Sequence, residues 1–333
     1  MSLEILKKDI KNKDIKNLYL FYGDEDFLKK YYLEKIEEII LKNDLTNLNK
    51  IVLDGKVQVE NIIESCDTVP VFSERKLVVV KKSGIFTAKA KQDGNDQLTE
   101  YLASVAPYTC LVFFEDSIDK RIKLVDRVKK NGLIVEFPYQ KQPELVKWVV
   151  KAFNSSKKEI DVNTASYLVN ICEPGMTQIL NEVNKVVLYL GEKVQVDTKV
   201  IDKVCTKSIK SRIFDLIDAI AEKRINIALK LLNDMIILKE PLPKILIMIA
   251  RQLRLILEMK LLCDEGMAKK DVCSKMGITP YVGNKVYDQT RSFSVDKLKE
   301  VIKETMELDL AIKTGKINDR IAAEVLICKM AED

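Results

Sequence analysis

The turn that closes the first apolar run of the chain reads Gly23-Asp24-Glu25-Asp26-Phe27-Leu28-Lys29-Lys30. A phosphate-cradling loop reads GxxxxGK followed by Ser or Thr. Its glycines bring backbone amides to the phosphate oxygens, its lysine reaches the outer phosphates, and its hydroxyl holds magnesium. Here Gly23 stands at the first glycine and Lys29 at the lysine, but Leu28 replaces the second glycine and Lys30 the hydroxyl. Leucine lacks the backbone freedom that lets amides close on an anion. Asp24, Glu25 and Asp26 crowd the start of the next helix, where carboxylates cap free N–H groups and suit the helix dipole. Those N–H groups are the ones a phosphate would use. Two readings stay open on this segment: a phosphate loop that kept its shape and lost its ligand, and a turn that never held a nucleotide.

A second acidic pair ends the fourth apolar run, at Glu115-Asp116. In a nucleotide-hydrolysing strand the order is Asp then Glu; here it is inverted. Glu115 falls at the magnesium-ligand place and Asp116 at the water-activating place. Without an intact phosphate loop, the pair is expected to close the strand end and meet neighbouring lysines. Other chemistry is scarce. The chain has no histidine, which removes Ser-His-Asp and Cys-His nucleophile systems and any zinc site built on His. Its cysteines, at 66, 110, 172, 205, 263, 273 and 328, are scattered with no CxxC. They read as reduced thiols, most of them small core residues. No metal and no cofactor is expected.

A third segment is apolar rather than acidic. Thr68-Val69-Pro70-Val71-Phe72-Ser73-Glu74-Arg75-Lys76 groups three apolar side chains around a proline beside a charged stretch. Either Val69, Val71 and Phe72 pack under the following strand, or they form an exposed anchor for a partner's pocket. Burying a phenylalanine is worth roughly 1.5–3 kcal/mol, the scale of an interface hot spot.

The elements that carry these segments alternate at first. Leu18–Tyr22, Lys50–Leu53, Leu77–Val80, Cys110–Glu115 and Leu133–Phe137 are short runs rich in Val, Ile, Leu and Phe. Apolar residues in succession predict strands buried on both faces, hence a parallel sheet. Helices are predicted over 26–41, 57–66, 97–105 and 121–130. The result is a doubly wound α/β domain ending near Pro138. From Pro143 onward only helices are predicted: one over 143–153, one capped by Asp161 or Asn163, one over 177–190, then 212–222, 225–238, 241–263, 268–275, 279–291, 294–313 and 317–330. Residues 81–96 are the best candidate for a mobile loop.

The 333 residues suffice for two or three domains at roughly 150 residues each. Apolar residues make up 47% and charged residues 32%, as in a globular protein. The longest apolar run, Ile245–Ala250, is far short of a membrane span, and the first residues show no secretory apolar core. The expectation is a cytoplasmic protein. With 55 Lys and Arg against 50 Asp and Glu, the net charge of +5 permits nucleic-acid contact inside an assembly without arguing for tight DNA binding.

Taken together these segments resemble a known family. LYLFYGDEDFLKKYYLEKI, VPVFSERKLVVVKK, CLVFFEDSIDKRIKL and LNEVNKVVLYLG occur in order, followed by FDLIDAIAEKRINIALKLLNDM, KILIMIARQLRLILEMKLL and LDLAIKTGKINDRIAAEVLI. The chain resembles, over essentially its full length, the delta subunits of the bacterial DNA polymerase III clamp loader, nucleotide-inactive members of the AAA+ clamp-loader superfamily. The resemblance implies a degenerate AAA+, RecA-like domain over 1–140, a helical lid over 141–208 and a helical collar over 209–333. It implies no intrinsic catalysis and an inactive nucleotide site at Gly23, Leu28, Lys29, Lys30, Glu115 and Asp116. It implies binding and opening of the beta sliding clamp, with the clamp anchor falling on Val71 and Phe72 and an added contact at Val69. Val71 is shorter than the family's usual leucine. The implied partners are that clamp, the gamma/tau motor subunits and delta-prime through the collar, and primed DNA within the assembled complex, at the replisome and away from membranes.

Two other functions fit parts of the sequence. One is an active ATPase of the same superfamily. The other is a DNA-binding regulator, because residues 269–291 resemble a helix-turn-helix with Gly277 in the turn and Asn284, Lys285, Gln289 and Arg291 on the second helix. Helix pairs with such a turn are also common in structural bundles, and a collar role is the expectation.

Overall fold

The structure is a computed structural model that describes residues 2–42, 48–87 and 95–332. The chain forms two compact units, one of Met1–Val149 with Pro174–Asn181 and one of Val150–Glu173 with Glu182–Asp333.

In the first unit α1 (Ser2–Asn12) precedes β1 (Leu18–Tyr22), α2 (Asp26–Ile40), β2 (Lys50–Asp54), α3 (Val59–Asp67) and β3 (Lys76–Lys81). Then follow α4 (Asn95–Tyr101), β4 (Thr109–Glu115), α5 (Lys123–Asn131) and β5 (Leu133–Glu136). The five strands are all parallel, in the order β2-β3-β4-β1-β5. Side chains along a strand alternate between faces, and that period divides the core in two. Leu18, Leu20, Val78, Val80, Leu111 and Phe113 pack with Ile62 of α3, Leu98 of α4 and Val128 of α5. Tyr19, Phe21, Leu77, Val79, Val112 and Phe114 pack with Leu6 of α1 and Ile36 of α2. β1, β3 and β4 are therefore covered on both faces, as the sequence predicts. β2 is not: it is an edge strand, and Val52 is exposed. Part of the predicted mobile loop at 81–96 lies outside the described residues.

The helical elements continue with α6 (Gln142–Ser155), α7 (Val162–Ile171), α8 (Met176–Leu190) and α9 (Thr198–Val204). Asp161 is the N-cap of α7, its side chain accepting from the N–H groups of Asn163 and Thr164. Between these helices lie two short parallel strands, β6 (Glu159–Ile160) and β7 (Gln195–Val196). They correct the expectation of helices only; two residues are too few to show a period.

The rest is a helical bundle: α10 (Ile209–Ala221), α11 (Ile225–Ile237), α12 (Leu242–Asp264), α13 (Lys269–Lys275), α14 (Pro280–Thr290), α15 (Val295–Lys313) and α16 (Asp319–Ala331). α12 is its axis, packing on α10, α13, α14, α15 and α16. Ile245, Ile249, Leu253, Ile256 and Met259 bury one stripe of α12 in the common core, at the spacing of a helical face. Among the described residues no helix is long and apolar enough to cross a membrane. Five of the seven cysteines are buried; Cys263 is half-buried and Cys328 exposed.

Candidate functional site

The segments singled out by sequence stand at opposite ends of one sheet. The strands are parallel, so every turn that follows a strand lies at one edge and every segment that enters a strand lies at the other. Gly23 follows β1 and Asp116 follows β4, while Val69–Arg75 enters β3.

At the carboxyl edge the charged groups that the sequence singles out pair with one another. Lys29 is fully buried. Its ammonium donates to the Glu115 carbonyl at 3.0 Å, pairs with Asp26 at 2.9 Å and Asp116 at 3.6 Å, and lies 4.7 Å from the centre of the Phe114 ring. Gly23, Lys29, Glu115 and Asp116 are thus brought together as the sequence predicts. Leu28 instead packs half-buried against the core beneath α2, and Lys30 points to solvent.

Glu115 is buried and turned inward. Its carboxylate accepts from the Ser83 N–H at 3.0 Å, the Ser83 hydroxyl and the Gly84 N–H at 3.3 Å. Burial pushes its carboxyl above the ordinary value, and the Ser83 hydroxyl and the two N–H groups oppose that shift. Glu25 departs from its expected role. Its side chain does not cap α2. It is buried and accepts from the Met176 N–H at the start of α8, at 3.1 and 3.2 Å. Burial also raises its carboxyl, with the Met176 N–H opposing. A helix N-terminus favours an anion, and here a side chain of the same chain supplies it.

At the amino edge the apolar residues are exposed rather than packed under β3. Phe72 is 100% exposed, Val69 68% and Val71 45%. The backbone beneath them is pinned at three points. Lys76, itself buried, donates to the carbonyls of Ser65 and Thr68 where α3 ends. Asn49 brackets Val71, donating from Nδ2 to its carbonyl at 2.9 Å and accepting its N–H on Oδ1 at 2.7 Å. Arg75 donates to the Ile15 carbonyl and to Asn17 Oδ1, both at 2.8 Å. Sequence reading missed Asn49 and Arg75 as parts of this site. An asparagine before a strand and an arginine in a charged run carry no local signal, because their partners are distant in sequence.

The helix pair α13–α14 has the predicted turn, with Gly277 at φ +63°. On its second helix Asn284 is exposed and Lys285 is half-buried, and Arg291 at its end is exposed. Gln289 is buried and accepts from Gln252 Nε2 at 2.7 Å. Lys285 lies against the rings of Phe214 and Tyr281 and 3.6 Å from Asp215, and Arg291 lies over Tyr287. A helix reading DNA bases presents such side chains outward, whereas Gln289 and Lys285 are engaged within the bundle.

Comparison with known proteins agrees with this geometry. The family profile described as "DNA polymerase III, delta subunit" matches residues 19–138, and that of "DNA polymerase III delta subunit, C-terminal domain" matches residues 210–330. DNA polymerase III subunit delta of Bacillus subtilis (strain 168) is 25% identical over 330 residues, 97% of this chain and 95% of the relative. Among solved structures, the Bacillus subtilis DNA clamp loader delta protein aligns over 100% of both chains with a TM-score of 0.57 and 25% identity. The first profile spans almost all of the five-stranded parallel sheet and the second almost all of the helical bundle, and the chain belongs to the family of DNA polymerase III delta subunits, components of the clamp loader.

Proposed function

We propose that this chain is the clamp-binding, non-catalytic member of its loader. It engages the beta sliding clamp through Val69, Val71 and Phe72 and favours the opened ring, which ATP-driven partner subunits then place on primed DNA. One observation carries the reading: a fully exposed Phe72, with two exposed valines beside it, on a backbone tied down by hydrogen bonds. Large apolar side chains held out on a fixed loop suit a pocket on a partner.

The opposite edge of the sheet supports the non-catalytic half of the proposal. Lys29, the residue at the phosphate-binding position, is consumed by Asp26, Asp116 and the Glu115 carbonyl. Glu115 is held by Ser83 and Gly84 rather than facing an open magnesium site. Ring opening then draws on differential affinity alone: a protein that binds the open ring better than the closed one shifts the ring toward the open state. The same proposal keeps the division into 1–140, 141–208 and 209–333, with the last region joining the gamma/tau motor subunits and delta-prime. It places the chain at the replisome.

The test is a titration of the full chain with the sliding clamp of the same organism, without nucleotide. A saturable complex with a dissociation constant of about a micromolar or tighter is expected. Absence of any complex would remove the reading.

A further inference from the structure

Phe72 has φ +52°, in the left-handed region. Among the described residues five other non-glycine residues do so, and all are lysines: Lys13, Lys82, Lys157, Lys223 and Lys239. Each follows the end of a helix or strand, where a left-handed residue commonly terminates the element. Phe72 terminates nothing. For a bulky residue this conformation costs on the order of 1–2 kcal/mol, and a fully exposed ring recovers none of it by packing in the free chain.

What holds that backbone is a buried side chain from another element. Asn49 is 2% exposed and directly precedes β2. Its own carbonyl accepts the Leu77 N–H at 2.8 Å, which continues the β2–β3 ladder one residue toward the amino edge. The Asn49 amide is therefore fixed by the sheet, and it takes both the N–H and the carbonyl of Val71. Those two bonds fix the residue immediately before Phe72. Arg75, three residues after Phe72, is tied to Ile15 and Asn17 ahead of β1.

We propose that Asn49 is a positioning residue for clamp binding: its two hydrogen bonds to Val71 lock the loop with the Phe72 ring held outward, so that the ordering cost of binding is met during folding. The inference rests on the reading of Val71 and Phe72 as the clamp anchor. Preorganisation of this kind raises affinity without a new contact, because the bound conformation need not be selected from a mobile ensemble. Asn49 is buried and needs no contact with the partner, so exposure alone would not reveal it.

The experiment compares four forms of the full chain, namely wild type, Asn49→Ala, Phe72→Ala and the double variant, in titration against the sliding clamp, with thermal unfolding of each. Asn49→Ala is expected to weaken binding about tenfold while the chain remains folded at the assay temperature. Its effect should shrink in the Phe72→Ala background, because an unlocked loop matters only if it carries the ring. Asn49→Asp, which keeps an acceptor for the Val71 N–H but loses the donor to its carbonyl, should fall between the two. Faster hydrogen exchange at the Val71 amide in Asn49→Ala than in wild type would report the unlocking directly. If Phe72→Ala weakens binding and Asn49→Ala binds like wild type, the anchor stands and the positioning role is overturned. Equal cost of Asn49→Ala in both backgrounds would make it a general structural defect and also overturn the role. If Phe72→Ala binds like wild type, the anchor reading itself has failed, and the proposal with it.

Discussion

Replacing both Val71 and Phe72 by alanine should raise the dissociation constant for the sliding clamp about a thousandfold, equivalent to about 4 kcal/mol from two hot-spot side chains. The same double variant should unfold at nearly the wild-type temperature. Phe72 is fully exposed and Val71 close to half exposed, so truncation leaves no core cavity, and exposed substitutions usually stay within about 0.5 kcal/mol. The hydrogen bonds that fix the loop involve the Val71 backbone and Asn49, and both survive the substitution. The pairing of a large affinity loss with unchanged stability is what separates an anchor from a core residue. Binding measured by calorimetry and unfolding measured by circular dichroism check both halves. Tight binding by the double variant would move the anchor elsewhere on the chain.

The second large effect is on stability. Gly23→Ala should destabilise the chain by about 4 kcal/mol or more, enough to prevent folding of a marginally stable unit. Gly23 has φ +117°, and a Cβ there would lie 2.4 Å from the Phe137 carbonyl oxygen. Neither neighbour can give way. The Phe137 N–H donates to the Tyr22 carbonyl at 2.7 Å, the Phe137 carbonyl accepts from the Glu25 N–H at 2.9 Å, and the Gly23 N–H donates to the Asp116 carbonyl at 3.2 Å. Gly55→Ala is the control. Its φ of +78° is also left-handed but nothing lies within 4 Å, so only the conformational cost of about 1–2 kcal/mol applies. Chemical denaturation of the two variants measures the difference, and equal stability would contradict it. Gly23 is thus explained by its close approach to Phe137 at the end of β5.

Much of this was legible in the residues because two periods differ so plainly. Successive apolar residues in LYLFY and TCLVFFE marked strands buried on both faces, and those are β1 and β4 at the centre of the sheet. The helix predicted over 241–263 matches α12 to within one residue at each end. β2 looked like its neighbours in sequence, yet it lies at the edge, because strand order depends on pairing that no single strand encodes. α1 was overlooked: Leu3, Leu6 and Ile10 lie on one face, but the many charges between them drew attention only to the missing apolar core of a secretory segment.

The site divides in the same way. That Leu28 and Lys30 stand where a phosphate loop carries its second glycine and its hydroxyl was readable. That Lys29 would be buried, and that Glu25 would reach Met176, was not, since those partners lie 86 to 151 residues away. For Val69, Val71 and Phe72, packing and exposure were both compatible with the sequence. The bracket formed by Asn49, the tie from Arg75 and the Lys76 bonds to the end of α3 hold the segment whose side chains stay in water instead of folding beneath β3.

The central claim is that this chain opens the clamp without hydrolysing nucleotide. Moving a ring from 1% to 99% open needs about a 10⁴-fold preference for the open form, about 5.5 kcal/mol. The most direct measurement places a self-quenching dye pair across the clamp's dimer interface and adds the full chain with no ATP present. The account predicts that fluorescence rises with the concentration of chain, saturates with binding, and stays flat with Val71→Ala/Phe72→Ala. A chain that binds the clamp tightly while the dyes stay quenched would have no preference for the open ring, and that result would contradict the account.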